Sequence, residues 1–190
     1  EFRRVLFRSY VTPTLSMAER NNYAGDVPAW FKEPRLAGLL ADSITPEMLD
    51  HVKLSFITRT PKDAEESRTS YQVLKNTVKK LNDAGARLVL GCDTGLPDHF
   101  WGLAEHREME LLVEAGMTPA QVIVAATSRA AEFLSLKDLG TLAPGKIADF
   151  LVLDANPLDD IRNTRSIVSL YMQGRQVDRA AIKARLQAGR

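Results

Sequence analysis

The strongest candidate for chemistry in this chain is Asp93, which stands in the run Gly91-Cys92-Asp93-Thr94-Gly95. This run directly follows residues 86–90, whose apolar composition predicts a strand that is buried on both faces. In parallel α/β folds, active sites are built at the carboxyl ends of the strands. A carboxylate at that position can bind a metal through oxygen or accept a proton. It could equally cap the following turn through its own backbone, and the residues alone leave both interpretations open.

Three histidines and one cysteine are the other candidates, and none of them belongs to a recognisable metal-binding motif. His99 and His106 do not have the i, i+4 spacing that places two imidazoles on one face of a helix. Each of the two can contact a ligand or can be a hydrogen-bonded part of the scaffold, whereas His51 is expected to be solvated. Cys92 is predicted to be buried, and a thiolate role would need an electropositive neighbour that the sequence does not identify.

Hydrophobic periodicity and turn residues predict the elements that position these side chains. Residues 10–15 are rich in β-formers and predict a short strand, and Pro13 restricts it to a strand end or a sheet edge. The stretch 21–43, with Trp30 and Phe31, predicts either a loop packed over a site or the filling of a hydrophobic gap. Further along the chain we predict helices over 46–56, 63–84, 103–115 and 118–133, strands over 147–153 and 167–172, a hairpin turn at 173–175, and a charged helix over 178–190.

The order of these elements predicts an α/β fold. A strand and helices occur twice in succession, which favours βα units of a parallel sheet, and the strands after Gly140 favour a separate antiparallel piece. Two strands cannot close a barrel, and the predicted strand over 86–90 needs a neighbour on both faces. We therefore expect the chain to be part of a larger α/β domain.

Composition excludes several classes of function. The chain has 190 residues, a net charge of +1 and 45% hydrophobic residues, which is typical of a soluble globular protein. The balanced charge argues against a nucleic-acid-binding surface or a polybasic membrane patch. The single cysteine excludes an internal disulfide, and the sequence has no apolar run of the length that a membrane-spanning helix needs. The compartment cannot be read from the sequence.

The first nine residues do not read as a signal peptide, because arginines interrupt their apolar residues and no small-residue cleavage site follows. The structural alternative is a basic amphipathic opening segment. Taken as DNA, residues 1–9 match one reading frame of a common sequencing adapter. We therefore predict that they are an artefact and that the chain is a C-terminal fragment of a longer protein.

Beyond these local signals, the chain resembles the metal-dependent amidohydrolase superfamily, and most closely its imidazolonepropionase-like and Xaa-Pro-dipeptidase-like branch. The resemblance covers roughly residues 86–177, while residues 10–85 fit more loosely. It is carried by the run around Asp93 and by three further segments, which are His106-Arg107-Glu108-Met109-Glu110-Leu111-Leu112-Val113-Glu114-Ala115-Gly116-Met117-Thr118-Pro119, Ala125-Ala126-Thr127 with Ala130-Ala131, and Leu139-Gly140-Thr141-Leu142-Ala143-Pro144-Gly145-Lys146-Ile147-Ala148-Asp149.

The resemblance implies a TIM-type (β/α)₈ barrel beside a small β-sandwich. It implies that residues 10–138 are barrel units seven and eight, that residues 139–177 are the C-terminal part of the sandwich, and that residues 178–190 are a charged helical tail. The segment from Gly140 to Asp149 is then the return from the barrel to the sandwich, with a structural role.

The resemblance also implies a hydrolase that acts on amide or cyclic amide C–N bonds through a water activated by a divalent metal, commonly zinc. Asp93 matches the metal-binding aspartate at the end of the eighth strand, which also moves the proton of the water. Thr94, His99 and His106 follow on the side of the barrel where a substrate would lie. The family's other metal ligands precede its seventh strand and have no counterpart here, so we expect the chain by itself to be inactive.

The partners implied by the resemblance are a small-molecule amide-like substrate or a dipeptide, and the resemblance leaves a homo-oligomer open. A rival interpretation is a non-catalytic partner or regulatory module that kept the amidohydrolase architecture without its chemistry. A histidine pair near the beginning of the complete open reading frame would favour the enzyme over the module.

Overall fold

In the computed structural model, residues 9–25, 46–95 and 99–188 are described. Strands β1 (Tyr10–Val11) and β2 (Arg87–Leu88) pair in parallel, with Tyr10 opposite Arg87 and Val11 opposite Leu88. The Val89 N–H continues the pairing by donating to the carbonyl oxygen of Val11 at 2.9 Å. Both strands are shorter than predicted, and their parallel arrangement places their carboxyl ends side by side. The predicted site run and the residues after β1 are therefore neighbours.

The chain turns into a helix directly after β1, which the sequence did not indicate. Helix α1 covers Leu15–Glu19 and continues as a 3₁₀ turn over Arg20–Asn22. The prediction that the strand extends to Leu15 is wrong, because Thr14 takes a left-handed conformation with φ 49° and ψ 47° and reverses the chain. The predicted irregular stretch 21–43, including Trp30 and Phe31, lies mostly outside the described residues.

Two longer helices follow α1 in the described part of the connection between β1 and β2. Helix α2 covers Pro46–Ile57 and helix α3 covers Pro61–Asp83, close to the predicted bounds. Thr60 and Asp63 form a reciprocal cap at the start of α3: the Thr60 side chain accepts from the Asp63 N–H, and the Asp63 carboxylate accepts from the Thr60 N–H. Gly85, with φ 78°, ends the helix in the left-handed conformation that glycine adopts at low cost.

Helices α4, α5 and α6 lie between β2 and the second sheet in the described part of the chain. Helix α4 covers Leu103–Glu114, α5 covers Pro119–Ala126 and α6 covers Ser128–Phe133. The predicted cap at Thr118 is confirmed, because its side chain accepts from the N–H of Gln121 and the Gln121 side chain accepts from the N–H of Thr118. The prediction of one continuous helix over 118–133 is wrong, because Thr127 has φ −124° and ψ −90° and breaks it into two.

The second sheet is antiparallel, as predicted for the residues after Gly140. Strands β3 (Phe150–Leu153), β4 (Ile167–Met172) and β5 (Arg175–Gln176) pair in the order β3-β4-β5. The predicted hairpin turn is confirmed by Gln173 and Gly174, both with positive φ, as a two-residue turn with left-handed residues requires. Helix α7 (Arg179–Ala188) ends the described chain.

The main hydrophobic core joins both parts of the chain. Ile161, in a 3₁₀ turn over Ile161–Arg165 that precedes β4, packs into the core formed by the parallel strands and their helices. The other buried members of this core are Leu15, Val78, Leu88, Leu111, Leu112, Ala115, Met117, Val122 and Ala125. The fold is α/β, as predicted. Over the described residues, no helix is both long and apolar enough to cross a membrane.

Candidate active site at the ends of two parallel strands

Asp93 lies in the loop that follows β2, and its side chain is exposed. Its backbone has φ 56°, in the left-handed region that costs a residue with a side chain about 1–2 kcal/mol. Aspartate tolerates this region better than most residues do. The conformation directs the chain away from the strand immediately after the carboxylate, so that the acid stands at the carboxyl end of the parallel pair.

The loops that follow the two strands approach each other closely at Gly91. A Cβ atom placed on Gly91 would lie 2.5 Å from Cγ2 of Thr12, which is closer than carbon atoms can approach without a shift. Glycine is therefore required at this position because a side chain would collide with Thr12, and not because of the backbone angle φ. The contact brings the residues after β1 within van der Waals distance of the run that carries Asp93.

Glu105, in the first turn of α4, holds the residues on both sides of Asp93. The Thr94 hydroxyl donates to Oε1 of Glu105 at 3.2 Å, and the Gly102 N–H donates to Oε2. The Cys92 thiol is buried, and burial together with the nearby Glu105 carboxylate raises its pKa to about 12. Cys92 is therefore neutral at physiological pH and does not act as a thiolate.

Glu108, one turn further along α4, is fully buried and binds the residues that follow β1. Its carboxylate accepts from the Leu15 N–H at 2.9 Å and from the Ser16 N–H at 2.7 Å. These are the first N–H groups of α1, and the side chain of the preceding residue, Thr14, makes no capping hydrogen bond. Burial raises the pKa of Glu108, while the hydrogen bonds from Ser16 and Leu15 oppose that rise. Glu108 thus supplies from another helix the cap that α1 lacks.

His99 is buried and joins this polar cluster from the loop after β2. Its Nε2 lies 3.1 Å from the Ser16 hydroxyl oxygen, and the direction of the bond depends on the tautomer of the ring. The His99 carbonyl also accepts from the Gly95 N–H at 3.3 Å. His99 therefore ties the loop that carries Asp93 to the start of α1.

His106 contacts the C-terminal part of the chain instead. Its Nδ1 lies 2.9 Å from Oγ1 of Thr164, and the Thr164 hydroxyl donates its one proton to the carbonyl of Ile161 at 2.8 Å. The Thr164 oxygen is therefore the acceptor, and Nδ1 of His106 carries the proton. Burial lowers the pKa of His106, and the neighbouring Arg165 lowers it further.

An ion-pair network on the adjacent surface fixes α1 against α4. Arg107 donates to both carboxylate oxygens of Glu19, with distances of 3.0 and 2.6 Å, and also to Glu110 and Glu114. Arg165 donates to the other oxygen of Glu110 at 2.9 Å, which connects the 3₁₀ turn before β4 to the same network. A bidentate guanidinium pair of this kind restricts orientation as well as distance.

The donor groups of this site do not by themselves fit a zinc ion. Catalytic zinc takes three protein ligands in most enzymes, and the described residues contain no group of three histidine, cysteine or acidic side chains that could hold a metal. At the strand ends, Asp93 is exposed and can offer one oxygen, while Glu108 is engaged with backbone N–H groups. Among the described residues, the site therefore presents a single exposed carboxylate rather than a complete set of metal ligands.

The structure brings Thr94 and His99 into the same cluster of loops as Asp93, and it places His106 against Thr164. Sequence reasoning did not identify Glu105, Glu108 or Ser16. The sequence does indicate that Glu108 is unusual, because it is the one charged residue on an otherwise apolar helical face. The other residues of this face are Ala104, Leu111, Leu112 and Ala115, and all five residues are buried. A carboxylate on a core-facing stripe requires polar partners from another element.

Comparison with known proteins identifies the family of this chain. The model of the amidohydrolase family matches residues 36–177, which is more than half of the chain. The chain therefore belongs to the amidohydrolase family, and the match extends well upstream of the residues that carried the resemblance in the sequence.

Individual relatives are similar to this chain over part of their length. An imidazolonepropionase from Deinococcus deserti is 37% identical over 87 residues, which cover 45% of this chain and 22% of that protein. The crystal structure of a Xaa-Pro dipeptidase with methionine bound in its active site superposes with a TM-score of 0.59 at 22% identity, over 89% of this chain and 34% of that one. The bottromycin amidohydrolase gives a TM-score of 0.76 at 22% identity, over 95% of this chain and 39% of that one. The chain thus spans between about a fifth and two fifths of these relatives' lengths.

Proposed function

We propose that this chain is the C-terminal part of a metal-dependent hydrolase that cleaves amide or cyclic amide C–N bonds, with Asp93 as a metal ligand and proton acceptor. The observation that carries the proposal is the placement of Asp93, exposed at the carboxyl end of β2 in a left-handed conformation. Membership of the amidohydrolase family supports the reaction class. The likeness to an imidazolonepropionase supports an amide-like bond in a small molecule as the substrate.

In this proposal, residues 10–138 are the seventh and eighth βα units of a (β/α)₈ barrel. Support comes from the parallel pairing of β1 with β2 across the connecting helices α2 and α3. Residues 139–177 form part of a β-sandwich, which the antiparallel sheet of β3, β4 and β5 supports, and residues 178–190 form a helical tail. The likeness to the bottromycin amidohydrolase in fold supports the same assignment.

The metal in this proposal is a divalent cation, with zinc as the first choice. Such an ion supplies a water of lowered pKa and polarises the carbonyl group of the substrate. The contribution of this chain is the Asp93 carboxylate, which can offer one oxygen to the ion and hold a proton on that oxygen. The other ligands belong, in this proposal, to the part of the hydrolase that precedes β1.

Thr94, His99 and His106 remain the proposed contacts to a small-molecule amide or dipeptide substrate. Thr94 is half-buried beside Asp93, and its hydroxyl oxygen can accept a hydrogen bond from a substrate while its proton is donated to Glu105. His99 and His106 are bonded to Ser16 and Thr164, so either would have to exchange that hydrogen bond to contact a substrate.

The test is to recover the complete open reading frame, express the protein with zinc, and assay hydrolysis of N-acyl amino acids, dipeptides and cyclic amides. Asp93→Asn should abolish turnover and preserve the fold, because asparagine also tolerates the left-handed conformation. Glu114→Gln is the matched control, since this carboxylate is exposed on the far part of α4. Full turnover by Asp93→Asn would remove Asp93 from the mechanism.

The absence of a three-ligand cluster among the described residues favours one alternative, a non-catalytic module with amidohydrolase architecture. The same experiment separates the two proposals. If the complete protein has no histidine pair near its beginning and binds no zinc in isothermal titration calorimetry, the module is the better description.

A further inference from the structure

A strained residue lies in the loop after each of the two parallel strands, β1 ending at Val11 and β2 at Leu88. Thr14 after β1 has φ 49°, and Asp93 after β2 has φ 56°. A left-handed conformation is unusual for any residue with a side chain, and for a β-branched threonine it is a genuine outlier. Strained backbone persists only where the surrounding structure enforces it, and it concentrates at functional sites. The question is therefore which groups hold these two turns in place.

Side chains of helix α4 restrain both of these turns, the one at Thr14 and the one at Asp93. Glu105 and Glu108 are three residues apart on α4 and so lie on one face of it. Glu105 accepts from Thr94, which follows Asp93, and lies beside Cys92, which precedes it. Glu108 accepts from Leu15 and Ser16, which follow Thr14. The two carboxylates thus restrain one strand end each.

The two strand ends are also joined directly. The Ser16 hydroxyl, adjacent to the Glu108 carboxylate, contacts Nε2 of His99 in the loop after β2. Ser16, His99 and Glu108 are at most 5% exposed, so the links between them do not compete with water. Because Glu108 is fully buried, it cannot itself touch a substrate in this arrangement.

We propose that Glu105 and Glu108 are positioning residues, which fix the strained turns after β1 and β2 relative to each other and so set the direction of the Asp93 carboxylate. This inference rests on the proposed function, because it assigns the two residues a role in the geometry of the same site. It predicts that weakening either carboxylate will impair catalysis more than substrate binding.

The experiment compares Glu105→Gln, Glu108→Gln and the control Glu66→Gln in the complete protein. Glu66 is exposed on α3, and its Oε1 lies 3.9 Å from Nζ of Lys62. Glutamine keeps the shape of glutamate but replaces one acceptor oxygen with a donor, so Glu108→Gln sets an amide N–H₂ against a backbone N–H. We expect kcat to fall by about tenfold or more in both variants with KM little changed, since small misplacements of reacting groups cost up to about 10²-fold. Hydrogen–deuterium exchange of residues 12–19 should accelerate in Glu108→Gln and not in Glu66→Gln.

A rescue separates positioning from general destabilisation. Thr14→Gly removes the left-handed strain without touching α4, so the double variant Thr14→Gly/Glu108→Gln should recover part of the lost kcat. Because Thr14→Gly also raises the overall stability, kcat is compared under conditions in which urea titration shows every variant to be fully folded, so that a loss caused by a weakened core is excluded. Should Glu108→Gln fold too poorly to assay, Glu105→Gln with its half-buried side chain tests the same proposal.

Unchanged kcat in both glutamine variants, or a Glu108→Gln loss that Thr14→Gly leaves unrelieved, would overturn the positioning role. Failure of the proposed function has a different result, in which Asp93→Asn itself retains turnover. The exchange measurement needs no substrate, so unaltered exchange of residues 12–19 in Glu108→Gln contradicts the inference whatever the reaction is.

Discussion

Gly140 offers the sharpest test of the packing in this structure. It has φ 83°, and a Cβ atom added to it would lie 2.6 Å from Cβ of Ala131, 2.9 Å from the carbonyl oxygen of Thr127 and 3.0 Å from Cα of Ser128. Two of these three neighbours are backbone atoms at the break between α5 and α6, so they cannot move aside without disturbing that break. Gly140→Ala should therefore be strongly destabilising.

The magnitude follows from three terms. Placing an alanine at positive φ costs about 1–2 kcal/mol, and the lower entropy of the unfolded alanine chain returns about 0.4–1 kcal/mol. Overpacking against fixed neighbours adds about 1–3 kcal/mol. The free energy of unfolding should fall by about 2–4 kcal/mol. With a urea m-value near 2 kcal/mol/M, the midpoint should move down by about 1–2 M.

Gly145 is the matched control, because it has the same φ of 83° and no atom within 4 Å of an added Cβ. Gly145→Ala should carry the conformational term alone, about 1 kcal/mol or less. Urea titrations followed by circular dichroism measure both variants. Ala131→Gly in the Gly140→Ala background should recover only part of the loss, since the two backbone contacts remain. Coinciding midpoints for Gly140→Ala and Gly145→Ala would refute the contact argument.

Three further predictions concern the site. Gly91→Ala should lower the urea midpoint of unfolding. Adding Thr12→Ala removes the methyl group 2.5 Å from the new Cβ and should restore most of the lost midpoint. Equal midpoints for the single and double variants would contradict the close approach. In the folded state the pKa of Glu108 is raised above its ordinary 4.5, so the folded state binds the proton more readily than the unfolded state does. The free energy of unfolding should therefore fall as pH rises above about 4.5. Glu108→Gln should remove this decrease from the pH dependence of unfolding. His106 has a folded pKa below its ordinary 6.5, so its contribution is lost as pH falls below about 6.5, and His106→Gln should flatten that loss. A slope that survives in the glutamine variant would exclude the residue as its source.

Much of the local structure could be predicted, because its causes lie within a few residues of chain. The cap at Thr118, the end of α3 at Gly85 and the turn at Gln173 and Gly174 each depend on neighbouring side chains or on left-handed backbone. The break at Thr127 could not be predicted in this way. Gly140 packs against the Thr127 carbonyl there, and that contact joins segments thirteen positions apart in the sequence.

The sequence by itself determined that the chain is α/β and that an acid, Asp93, follows a buried strand. Only the tertiary structure decided what surrounds that acid. The bonds from Leu15 and Ser16 to Glu108 join residues 93 and 92 positions apart, and the contact between Ser16 and His99 spans 83. Such contacts have no local signature, because they exist only once parallel pairing has brought two distant strand ends side by side. Helical periodicity can show that Glu108 faces the core, but the folded chain alone determines which N–H groups meet it there.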